Sequence, residues 1–113
     1  MAKQVLHANL AAGRWHTLTL DEQLGNVGSD VGRAIRAKAQ RDDVRLQAAL
    51  ERALELFDLT LTDERWRGPR LREIARAREV VCDFLVGDNN YASDGESLDA
   101  YFFAYALAAR RDR

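Results

Sequence analysis

The chain has 113 residues, with 17 Lys and Arg against 18 Asp and Glu, one Cys and one Pro. A folded chain of this size buries about two-thirds of the surface its extended form exposes, enough for one core and too little for two. Its formal net charge of −1 creates no long-range field that would draw the whole molecule onto a polyanion or an anionic membrane, so any nucleic-acid surface must be a local patch.

A lone Cys forms no internal disulfide and points to a reducing compartment. The N-terminal residues lack an apolar stretch of signal-peptide length. The longest uncharged apolar run, residues 100–109, is about half a bilayer span. The expectation is a cytoplasmic, single-domain protein with no membrane segment. Apolar residues recur at three- and four-residue intervals, and no β-branched alternation appears, which is an all-α signature.

Residues 1–14 contain few bulky apolar groups and read as a loose arm or a short extra N-terminal helical turn. Residues 15–113 read as one helical-bundle domain. The first long helix opens on Thr19-Leu20-Asp21-Glu22, a capping box in which hydroxyl and carboxylate each satisfy an orphan backbone N–H. Leu20, Leu24, Val27, Val31, Ala34 and Ile35 form its apolar stripe, running to about Gln40. Gly25, Gly28 and Gly32 flank that stripe. Each costs about 1 kcal/mol relative to Ala in a helix interior, which the close approach of another helix would offset.

A second helix starts at Asp42 or Asp43, acids that suit the positive end of the helix dipole, and ends near Leu61. Leu46, Leu50, Ala53, Leu54 and Phe57 make its inner stripe, with Glu51, Glu55 and Asp58 one face away. The connector over residues 62–68 has Trp66 as its anchor. Pro69 occupies the first position of a third helix, whose inner face is Leu71, Ile74, Ala75, Val81, Cys82 and Leu85 and whose stop is Gly87. After a polar loop, Ser93 or Ser97 caps a last helix running to about Arg110. Four helices with short connections give an up-and-down four-helix bundle.

No catalytic constellation emerges. His7 and His16 belong to no Glu-x-x-His or His-x-x-x-His pair, so the ligands of a metal site on a bundle are missing. No Gly-rich loop leads into Lys-Ser or Lys-Thr. Cys82 sits in an apolar setting that would raise its thiol pKa and leave it inert. His16 beside Trp15 reads as a base or as a surface aromatic pair. The expectation is a protein that is not an enzyme, with no catalytic residue, cofactor or metal.

Charge patterning says more. Residues 65–78 carry six arginines, Arg65, Arg67, Arg70, Arg72, Arg76 and Arg78, against Glu73 alone; residues 79–99 then carry six acids and no base. The third helix is therefore basic at its N-terminal end and acidic at its C-terminal end, opposing the macrodipole by about 0.3–1 kcal/mol per misplaced charge. Two compensators suggest themselves. One is Glu51, Glu55 and Asp58 across a helical hairpin; the other is a phosphate backbone, with Trp66 stacking on a base. The partner contacts would then be Arg65, Trp66, Arg67, Arg70, Arg72 and Arg76.

The last helix carries no charge on any side over residues 100–109. A helix apolar all round is normally buried all round, which four short helices cannot do for one of their own. A second subunit is the expected cover, through Tyr101, Phe103 and Tyr105, with the Gly25, Gly28 and Gly32 face as a second contact. Aromatics Trp66, Phe57, Tyr101 and Tyr105 around a small-ligand pocket form a third reading.

Residues 22–31, Glu-Gln-Leu-Gly-Asn-Val-Gly-Ser-Asp-Val, followed by Leu46 and Ala49-Leu50-Glu51-Arg52-Ala53-Leu54-Glu55, resemble the hairpin of the four-helix-bundle proteins encoded in ribosomal RNA intervening sequences. The related accessory proteins of diversity-generating retroelements share that pattern. The resemblance covers residues 20–60 and implies a ring-like homo-oligomer and nucleic-acid binding through basic surfaces, although members are strongly basic and this chain is near neutral. The function expected is a non-enzymatic, self-associating helical interaction module; the alternative is a nucleic-acid-binding accessory protein using residues 65–78.

Overall fold

The computed structural model describes residues 13–112. The arm expected over residues 1–14, with His7, lies outside the described residues as far as position 12. Gly13 and Arg14 open a single 3-10 turn, Arg14–Thr17. Four α-helices follow: α1 Leu20–Ala39, α2 Asp43–Leu61, α3 Pro69–Val86 and α4 Gly95–Arg111.

Local chemistry sets their ends. Glu22 N–H donates to the Thr19 hydroxyl at 3.1 Å while Thr19 N–H donates to Glu22 Oε1 at 3.0 Å, completing the capping box. The Asp42 carboxylate caps α2 through the Arg45 N–H. Pro69 starts α3 after Gly68, whose φ of 57° is left-handed. The cap of α4 is Asp94, which accepts from Ser97 N–H at 2.7 Å, in place of the expected Ser93 or Ser97. Ser93 is held in the loop instead, its N–H donating to Asn89 Oδ1. Asp83 organises the same loop by accepting the N–H groups of Asn90 and Tyr91.

The helices run up, down, up, down. Gly25 faces Ala106, Gly28 faces Phe102 and Gly32 faces Asp99, a descending order that makes α1 and α4 antiparallel. Glu73 near the start of α3 meets Tyr105 near the end of α4, so that pair is antiparallel as well. Helix α1 packs most extensively, against α2 on one side and α4 on the other, and α3 leans mainly on α2. The bundle therefore stays open between α3 and α4.

Leu24, Val27, Val31 and Ala34 of α1 meet Leu50, Ala53, Leu56 and Phe57 of α2, Ile74, Val81 and Leu85 of α3, and Phe102 of α4 in one core. Phe57 and Phe102 meet edge to face, with centroids 6.0 Å apart. The inner face of α2 is turned slightly from the expected one: Leu56 and Ala49 are buried, while Leu46 and Leu54 lie at its flank. On α3, Ala75 is exposed rather than internal. Among the described residues, no helix is long and apolar enough to cross a membrane.

Candidate functional site

A polar cluster locks the 3-10 turn and the α2–α3 connector onto α1. Gln23 is fully buried, and its Nε2 donates to the Trp15 carbonyl and to Asp63 Oδ2, both at 2.9 Å. Its Oε1 accepts from Trp66 Nε1 at 2.8 Å. Trp15 Nε1 donates to the Thr60 hydroxyl, which donates on to the Leu56 carbonyl. Asp63, also buried, receives both Nε and Nη2 of Arg65. Those bonds, with that of Gln23, outweigh burial and hold its carboxyl well below the ordinary carboxylate range. Among the described residues, no buried side-chain nitrogen or oxygen lacks a partner; the cluster is a fully hydrogen-bonded structural joint.

This joint changes the reading of the arginine block. Trp66 is 8% exposed, with its indole N–H committed to Gln23, so it anchors the connector and offers no free face for stacking on a base. Arg65 bridges Asp63 and the Leu18 carbonyl. Its guanidinium and that of Arg70 lie over the Trp66 ring, 4.6 and 5.8 Å from the centroid. Arg78 pairs with Asp58 at 2.9 Å, as a helical hairpin would allow, while Glu51 instead takes Gln47 Nε2. Arg76 reaches Glu79 and stacks on Tyr91. Only Arg67 and Arg72 of the block have no such partner among the described residues.

The glycine face is occupied from within. A Cβ on Gly28 would fall 2.4 Å from Phe102 Cβ, and one on Gly25 would fall 3.1 Å from Ala106 Cα. The expected contact of Gly25, Gly28 and Gly32 with another subunit is therefore corrected: the helix they admit is α4 of the same chain.

Helix α4 presents three faces. Phe102, with Ala106, packs on α1. Tyr101 and Tyr105, expected at a subunit contact, turn toward α3, where both hydroxyls donate to Glu73 Oε1 at 3.0 Å. Burial, followed by Tyr105 and Glu73, raises the Tyr101 phenol far above its usual pKa. The third face is exposed: Phe103 at 50% and Leu107 at 43%, with Ala100 and Ala104 beside them. An all-apolar helix is thus buried on two sides only.

Between α3 and α4 lies a cleft of about 460 Å³. Val80, Leu98 and Phe102 line its apolar part and Glu73, Arg76, Ser93 and Asp94 its polar part. Asp94 and Ser93 are already engaged in capping and loop bonds. The aromatics expected to gather around a pocket separate: Phe57 and Trp66 are core residues, and of the four only Tyr101 reaches this cleft. Cys82, partly buried, has its thiol pushed up by burial. His16 Nε2 lies 3.0 Å from the Leu59 carbonyl, while Trp15 is in the core, so they form no surface aromatic pair. Among the described residues no group of His, Cys, Asp and Glu is arranged to hold a metal ion.

The chain matches no family model, no curated protein and no solved structure. Its site residues stand on their geometry. Two groups escape sequence reasoning. Gln23 had a signal, falling three after Leu20 and four before Val27 on the inner face of α1; a Gln there predicts buried partners. Glu73 as joint acceptor for two tyrosines had none, because it lies on α3 and both tyrosines lie on α4.

Proposed function

We propose that this chain is a non-enzymatic interaction module that pairs with a second copy of itself through the outer face of α4, in the reducing compartment its single Cys suggests. The observation that carries this reading is the exposed stripe Glu96, Ala100, Phe103, Ala104, Leu107 and Arg111. At 100° per residue these six side chains fall within about 100° of arc. The stripe is self-complementary in antiparallel register: Glu96 meets the second copy's Arg111, Ala100 meets its Leu107, and Phe103 meets its Ala104. Large residues oppose small ones at both apolar levels, and each end closes on an ion pair. A parallel pairing would set Glu96 against Glu96. The antiparallel arrangement is a two-fold, isologous one.

A contact along one helix of about 22 Å buries less than a standard interface of about 1,200–2,000 Å². The expected association is therefore weak and concentration-dependent in the micromolar range. Sedimentation velocity over that range tests it. Phe103→Glu and Leu107→Glu, both at exposed positions, are expected to leave helicity unchanged and abolish the dimer. Glu96→Arg or Arg111→Glu alone should weaken it and the double exchange restore it. A wild-type protein that stays monomeric across the range would overturn the reading. The alternative, nucleic-acid binding at residues 65–78, has less support, since Trp66 is buried and Arg65, Arg76 and Arg78 are engaged within the chain.

A further inference from the structure

The strongest unassigned concentration of charge is not the arginine block of α3. A groove of about 320 Å³ runs between the C-terminal half of α1 and the N-terminal half of α2, lined by Arg33 and Arg36 from the first helix and Arg45 and Arg52 from the second, with Gln40 at its end. Among the described residues, no acidic side chain lines it. Its remaining wall is alanine, with Ala37 and Ala49 buried, so the helices form a shallow trough under long guanidinium arms.

The four arginines are not equivalent. Arg33 is tied to the buried Asp30 at 2.8 Å and Arg45 to Asp42 at 3.4 Å. Arg36 and Arg52 are exposed and have no carboxylate within ion-pair distance among the described residues. Asp99, across Gly32 from Arg36, forms no ion pair with it. Two of the four charges are thus neutralised locally and two are not, which leaves the trough with an excess of two positive charges. Two paired arginines hold the walls, and two unpaired ones are free to fork onto a tetrahedral oxyanion. The antiparallel α1 and α2 present opposed dipoles here, so guanidinium groups and not helix ends would supply the attraction.

We propose that this groove seats a phosphate group of a phosphorylated ligand, with Arg36 and Arg52 as its direct contacts and Arg33, Arg45 and Gln40 shaping the seat. Guanidinium forks suit phosphate oxygens better than point charges do, and the volume, at the small end of ligand sites, suits one phosphate group with the start of its ester. The phosphate ester has two sources, a small phosphorylated molecule or a nucleic-acid backbone. The proposal does not depend on self-association, since the groove and the outer face of α4 are separate surfaces.

The test is a titration of the full chain with inorganic pyrophosphate and, separately, with a short single-stranded oligothymidylate, each at fixed low ionic strength. Backbone amide NMR shifts at residues 33–52 are the readout. Saturable binding of at least one probe is expected, with shifts centred on Arg36 and Arg52. Arg36→Ala/Arg52→Ala should weaken it by about tenfold or more, as loss of charged hydrogen bonds implies, and Arg36→Lys/Arg52→Lys should recover only part. Arg67→Ala/Arg72→Ala removes the same charge from α3 and should change affinity less than about threefold, since it alters only the general field. Pyrophosphate binding alone identifies a small phosphorylated molecule; oligonucleotide binding alone, or much the tighter, identifies a nucleic-acid backbone. If neither probe binds, or the α3 pair matters as much as the groove pair, the proposal fails. Retained helicity of each variant excludes unfolding as the cause.

Discussion

Gly28→Ala sets two effects of opposite sign against each other. Alanine is the better helix former, by about 1 kcal/mol, so a helix that merely tolerated this glycine would gain from the change. In the folded chain the new methyl would lie 2.4 Å from Phe102 Cβ, where carbon atoms pack at about 3.5–4.0 Å. Relief requires α1 and α4 to part by about 1 Å, and a gap of that size forfeits a quarter to a half of each contact it opens. Phe102 is buried and meets Phe57 edge to face, so the displacement reaches the core. Overpacking of this kind costs about 1–3 kcal/mol, and the severity of the overlap places it at the upper end. Subtracting the helical gain leaves a destabilisation of about 2 kcal/mol, or about 8 °C in Tm for a domain of this size. Gly32→Ala supplies the internal control. Its methyl would meet the Asp99 side chain at 3.1 Å, which can rotate away, so it should be neutral or stabilising by up to about 1 kcal/mol. Gly25→Ala, against Ala106 backbone at 3.1 Å, should fall between. Urea unfolding followed by circular dichroism at several protein concentrations measures all three. Equal gains for Gly28→Ala and Gly32→Ala would refute the packing argument, and a Gly28→Ala loss that vanishes on dilution would move the contact to a second subunit.

Gln23→Leu keeps the volume but strands Trp66 Nε1 and removes one bond each from Asp63 and from the Trp15 carbonyl, which keeps the Leu18 N–H; a loss of about 2–3 kcal/mol in urea unfolding is expected. Asp63 has a native pKa depressed chiefly by Arg65, so its contribution is present above the ordinary value of 3.8 and is lost as pH falls below it. Acid unfolding of Asp63→Asn should accordingly be shallower than that of the wild type below about pH 4. Tyr101 and Tyr105 have native pKa values raised by burial and by Glu73. Their contribution is present below the ordinary value of 10.0 and is lost as pH rises past it. Ultraviolet titration should show the two phenols ionising at higher pH than a tyrosine in a free peptide, and Glu73→Gln should bring the ionisation to lower pH.

What the chain determined by itself was local. The Thr19–Glu22 capping box, Pro69 after Gly68, and the three- and four-residue spacing of Leu24, Val27, Val31 and Ala34 place four helices with ends close to those observed, because each signal acts within a turn or two of backbone. Tertiary structure alone decided which neighbour each face meets. Periodicity groups Gly25, Gly28 and Gly32 on one side of α1, but whether α4 of the same chain or of another covers them depends on how the helices stack. Likewise, six arginines adjacent in sequence at residues 65–78 are largely engaged with partners in the fold, while Arg33, Arg36, Arg45 and Arg52, scattered over two helices, converge on one groove. Charge interacts through space and not along the chain, so which arginines of each cluster meet an acid, and that Arg36 and Arg52 meet none among the described residues, becomes visible only once the bundle is assembled.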